Sequence, residues 1–113
     1  MDRRKNLAHE IELFQRWLSA VAYEELGVND SAAVFFESVL SPTLLYAQEL
    51  IRFGIPFSFA HFRLGNLYTQ LEQFDRAEEH YLTFLKTFTQ PDPEYEYMVT
   101  EARAALETLE RER

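Results

Sequence analysis

The chain has no cysteine. Disulfides, thiolate metal sites and cysteine nucleophiles are therefore excluded. Glycine and proline are scarce, at three and four in 113 residues, which leaves little material for loops. No long Val/Ile/Thr alternation suggests strands. No apolar run approaches the roughly 20 residues of a membrane span. His9, Glu10 and Glu12 interrupt the start of the chain, so no signal-peptide core is expected there. Positive charge is short as well: 11 Lys and Arg face 19 Asp and Glu, for a formal charge of −8. Without a basic stripe to neutralise phosphates, nucleic acid is not an expected partner. The one basic cluster, Arg3-Arg4-Lys5, reads as a solubilising tail, with residues 1–5 frayed. A reducing cytoplasm is the expected compartment.

Apolar and aromatic residues are plentiful. Hydrophobic residues make up 47% of the chain, with ten Phe and six Tyr, enough to bury a core and too many for a disordered segment. At this length one domain is expected. The periodicity predicts an all-α fold of about six helices in antiparallel hairpins. A first helix runs from Asn6. Its apolar stripe is Leu7, Ile11, Phe14, Leu18, Val21 and Ala22, broadened by Leu13 and Trp17. Gly27 is a helix terminator. Asn29-Asp30-Ser31 offers N-cap residues for the helix that follows.

The most informative stretch lies between Phe59 and Pro91. Phe62, Leu64, Gly65, Leu67, Tyr68 and Leu71 make one helical face. Phe74, Ala77, Tyr81, Phe84, Leu85 and Phe88 make another. The break at Glu72-Gln73 is too short to let the two helices part. The pattern His61-x2-Leu64-Gly65-x2-Tyr68, then Ala77-x3-Tyr81, then Pro91, resembles a tetratricopeptide repeat. It departs from the family at His61, where Trp is usual, and at Phe84, where a small residue is common. Gly65 and Ala77 are small where two helices cross, and Pro91 stops the second helix.

The segment 13–45 repeats the pattern in degenerate form. Ala20, Tyr23, Leu26, Asp30, Ala32, Phe36 and Leu40 answer Gly65, Tyr68, Leu71, Asp75, Ala77, Tyr81 and Leu85. Ser19 in place of Leu64 is the weakest match. The copies are offset by 45 residues, counted from Ala20 to Gly65, where a simple tandem gives roughly 34. An inserted short helix at 42–54, between Ser41-Pro42 and Gly54, accounts for the surplus. The full repeat then occupies 58–91. Beyond it, Tyr95, Met98, Val99, Ala102, Leu106 and Leu109 predict a C-terminal capping helix over 93–112. The resemblance thus implies an α–α superhelix with one insertion and one cap.

Nothing in the sequence calls for catalysis, a cofactor or a metal. Gly27, Gly54 and Gly65 are isolated, so no phosphate-binding loop exists. His9-Glu10 begins like a zinc-protease helix, but Leu13 stands where the second His must sit. The resemblance points instead to protein or peptide binding, since the first helix of each pair lines the concave surface of such repeats. It implies a partner-binding face of Phe14, Trp17 and Val21 in the first copy, and of Phe59, Phe62, Arg63 and Asn66 in the second. Asn66 stands where the family often carries an asparagine that bonds a peptide backbone. Trp17 and Phe62 replace two cations of the family's carboxylate clamp, so a C-terminal carboxylate is not the expected ligand. The acidic exterior favours partners with basic flanks. The same aromatic stripe is also readable as buried core, or as the seam of a homodimer. The chain can further be read as an acidic regulator that sequesters a basic partner.

Overall fold

The computed structural model describes residues 3–40, 58–88 and 92–112. It is all-α there: α1 (Arg3–Glu25), α2 (Asn29–Leu40), α3 (Ser58–Gln70), α4 (Phe74–Thr87) and α5 (Glu96–Glu112), with one 3₁₀ turn at Pro93–Tyr95. The inserted helix expected at 42–54 and the helix stop at Pro91 lie outside the described residues. α1 takes in Arg3, Arg4 and Lys5, which the sequence assigns to a tail. The contacts cluster into two compact units, Met1–Ala60 and His61–Arg113.

In the first unit α1 packs on α2. The buried stripe of α1 is Leu13, Trp17 and Ala20, spaced i, i+4 and i+7. Ile11 and Leu18, expected in the core, are 45% and 50% exposed. The reason is that α1 carries apolar residues almost all round, so periodicity alone does not select a face. Packing selects it. Ala20 and Ala32 are fully buried small residues, and the Trp17 edge meets the Phe36 ring at 5.3 Å. That close seam turns Ile11 and Leu18 outward.

α3, which begins three residues before the second unit, and α4 form the second hairpin. Leu64, Leu67 and Tyr68 are buried on α3, and Ala77, Tyr81 and Phe84 on α4. The 3₁₀ turn and α5 follow, and α5 packs on α4. Met98, Ala102 and Leu109 form its buried stripe. Phe88, at the end of α4, bridges Phe84 at 5.1 Å and Tyr95 at 6.3 Å. This chain of rings ties the entry of α5 to the end of α4.

The two hairpins turn in the same way, bond for bond. In the first, the Val28 N–H donates to the Tyr23 carbonyl at 2.9 Å and the Gly27 N–H to the Glu24 carbonyl at 3.1 Å. In the second, the Gln73 N–H donates to the Tyr68 carbonyl at 2.8 Å and the Glu72 N–H to the Thr69 carbonyl at 3.1 Å. This paired closure is the Schellman ending, and it places one residue in the left-handed region. Those residues are Gly27, at φ 78°, and Glu72, at φ 60°. The next residue already belongs to the following helix. Val28 accepts from the Ala32 N–H and Gln73 from the Ala77 N–H, both at 3.0 Å. The caps are therefore Val28 and Gln73, and Asn29-Asp30-Ser31 fall inside the first turn of α2. Once the closing bond is made at Val28, the helix restarts there with no side-chain cap.

Glu72 carries a side chain where the backbone favours glycine. Glu72→Gly is expected to stabilise the chain by about 1 kcal/mol. Gly27→Ala is expected to cost a similar amount by strain alone, because a Cβ there would meet nothing within 4 Å. Urea midpoints at unchanged slope would check both. Equal midpoints for wild type and Glu72→Gly would mean that the turn relaxes to accommodate the side chain.

Candidate functional site

The residues expected to bind a partner lie on α1 and α3. Phe14 and Phe59 occupy equivalent places, 45 residues apart. So do Trp17 and Phe62, and Val21 and Asn66. Burial sorts them in the same way in both hairpins. Trp17 and Phe62 are core, only 7% and 6% exposed. Phe14, Val21, Phe59, Arg63 and Asn66 are half-buried.

Ring geometry explains why Trp17 and Phe62 are core. Each first helix sends one large ring against the aromatic of the second helix. Trp17 meets Phe36 edge-on, and Phe62 meets Tyr81 edge-on at 6.5 Å and Phe84 at 5.3 Å. These are favourable pairings, each contributing about 0.5–1.5 kcal/mol beyond burial. A second ring pair sits nearer each turn. Tyr23 stacks on Phe35 at 5.4 Å and 15°, and Tyr68 stacks on His80 at 5.5 Å and 16°. The hairpins are thus alike in turn, in crossing residues and in both ring pairs.

They differ in polar chemistry. In the first, Arg16 donates to the Ser38 carbonyl at 3.2 Å and pairs with Glu12 one turn earlier on α1. That pair is solvent-screened and contributes little. In the second, the Tyr81 hydroxyl donates to Asn66 Oδ1 at 2.5 Å. Burial pushes the Tyr81 phenol above its ordinary value of 10.0, a hydrogen bond with Thr69 works against that, and the Glu101 charge adds to the rise. Tyr81 therefore stays a donor at neutral pH. Asn66 is held from inside the hairpin, with its carbonyl oxygen engaged and its amide nitrogen left to donate.

His61 and His80, far apart in the sequence, come together in the same hairpin. Their Nδ1 atoms lie 2.9 Å apart and their ring centroids 5.2 Å. His80 is held in the Tyr68 stack, and the Arg76 guanidinium lies over the same Tyr68 ring at 5.6 Å. Sequence reasoning missed this cluster. The signal available was that residues roughly equidistant from a tight turn face each other in a hairpin. Among the described residues, no three metal-ligating side chains converge.

None of the known protein families, curated proteins or solved structures compared with the chain matches it. Among the described residues, no helix is long and apolar enough to cross a membrane.

Proposed function

We propose that the chain is a protein-interaction module of tetratricopeptide-like hairpins. Each first helix offers a face that docks an extended peptide or a helix. The reading rests on one observation: two hairpins share a turn, a small-residue crossing and an aromatic arrangement at a constant offset. Duplicated helical hairpins with paired aromatic faces suit recognition. The burial pattern refines which side chains would make contact. Trp17 and Phe62 hold the helices together, so the docking residues are the half-buried ones around them. In the first hairpin these are Phe14 and Val21, with exposed Leu18 between them. In the second they are Phe59, Arg63 and Asn66. Asn66, oriented by Tyr81, would donate its amide N–H to a peptide carbonyl. Arg63 would fix a second carbonyl or a carboxylate.

The test is a displayed peptide library selected against the wild type, with enriched peptides measured against Arg63→Ala and Tyr81→Phe. Arg63→Ala removes a contact group. Tyr81→Phe leaves Asn66 in place and removes only what orients it. Each variant is expected to weaken the selected peptides by about tenfold, the size of one charge-assisted hydrogen bond. Enriched peptides that bind both variants as tightly as the wild type would end the reading. The rival reading, in which the face joins two copies of the chain, predicts a concentration-dependent solution mass that Arg63→Ala lowers.

A further inference from the structure

We propose that His61 and His80 form a two-imidazole site for a late first-row divalent metal ion, such as zinc, nickel or copper. Neutral imidazole is a preferred ligand for these ions. Two Nδ1 atoms 2.9 Å apart need something between them. With no ion, that is one proton, carried by one ring and accepted by the other. An ion can take the same place. Zinc–nitrogen bonds of about 2.0–2.1 Å put two ligands of a tetrahedral site about 3.3 Å apart. The nitrogens point almost straight at each other, so the rings must part by a few tenths of an ångström and each swing in its plane by about 35° for both lone pairs to meet one tetrahedral ion. The shared proton then moves to the other nitrogen of its ring, so both rings bind as neutral imidazole. Both rings are half-buried, so an ion can reach them while water fills its remaining positions.

The first hairpin shows what these positions look like when they only support the fold. The counterparts of His61 and His80, 45 residues earlier, are Arg16 and Phe35. Phe35 makes the stack on Tyr23 that His80 makes on Tyr68, with nearly the same distance and tilt. The stack therefore does not need an imidazole, and an arginine serves at the other place. Two histidines meeting nitrogen to nitrogen are what the second hairpin adds. The Tyr68 stack fixes the plane of His80, as outer contacts do for metal-binding histidines. Arg76, over Tyr68, weighs against a cation nearby, so only modest affinity is expected.

The test is a zinc titration followed through the imidazole nitrogen signals. One equivalent of zinc should shift the Nδ1 resonances of His61 and His80 and leave His9 unmoved. His80→Phe, which copies the first hairpin, should keep the helical spectrum and bind zinc at least about tenfold more weakly. His61→Arg, copying Arg16, should do the same and stands in if His80→Phe does not fold. Zinc that binds both variants as well as the wild type would overturn the proposal. So would Nδ1 resonances of the wild type that do not move at millimolar zinc.

Discussion

Phe62→Glu is expected to unfold the second hairpin and not simply to detach a partner. Phe62 is nearly inaccessible and packs on both Tyr81 and Phe84. Truncating such a ring costs about 3–5 kcal/mol. A carboxylate in its place adds the cost of a buried charge with no counter-ion, at least a few kcal/mol more. A domain of this size has roughly 5–15 kcal/mol in all. Circular dichroism of Phe62→Glu should show a large loss of helix, or a collapse of the urea midpoint. Arg63→Glu, one residue along and half-buried, should stay folded. If Phe62→Glu kept its midpoint, the burial of this ring would be wrong, and Phe62 would return to the set of docking residues.

Gly65→Ala should also destabilise, against the helix propensity that favours it. Alanine is better than glycine inside a helix by about 1 kcal/mol. The space is missing, however. A Cβ at Gly65 would stand 2.6–2.8 Å from three ring carbons of Tyr81. That ring cannot swing aside. It is 2% exposed, its hydroxyl is bonded to Asn66, and it packs edge-on with Phe62. Overpacking of this kind costs about 1–3 kcal/mol, and three contacts this short place it at the upper end. A net loss of about 2 kcal/mol is expected. The first hairpin suggests the rescue. It has Ala20 and Phe36 at the same two places, both fully buried. Tyr81→Phe frees the ring from Asn66, so Gly65→Ala should cost less in a Tyr81→Phe background. A double-mutant cycle reads that coupling directly. Strict additivity would mean that the hydroxyl does not hold the ring.

Much of this architecture was legible in the residues. Gly27, the polar break at Glu72-Gln73 and the 45-residue offset located both turns. Small residues at 20, 32, 65 and 77 located both crossings. What escaped shares one cause: it depended on a backbone angle or on a neighbour across the hairpin. Glu72 gives no hint of a left-handed backbone, because glutamate avoids it. Only the bonding pattern shared with Gly27 reveals it. Trp17 and Phe62 looked like docking residues because a helical stripe does not say which of its members meets the partner helix. Asn66 stood out only as a peptide-binding residue, and nothing in the sequence showed that the Tyr81 hydroxyl bonds its side-chain oxygen. The histidines were judged by their spacing along the chain, which says little about a hairpin.

One feature of the turns sets how these hairpins can change length. Val28 and Gln73 each finish one helix and begin the next, so neither turn holds a spare residue. A helix advances about 100° per residue. One residue added beside Gln73 would carry Ala77, Tyr81 and Phe84 round to water and bring charged neighbours inward. An insertion or deletion in either turn is therefore expected to break the packing of its hairpin. Between the hairpins the chain is longer than a simple tandem by about 11 residues. Each hairpin is thus a cassette of fixed length, set by the turn that closes it.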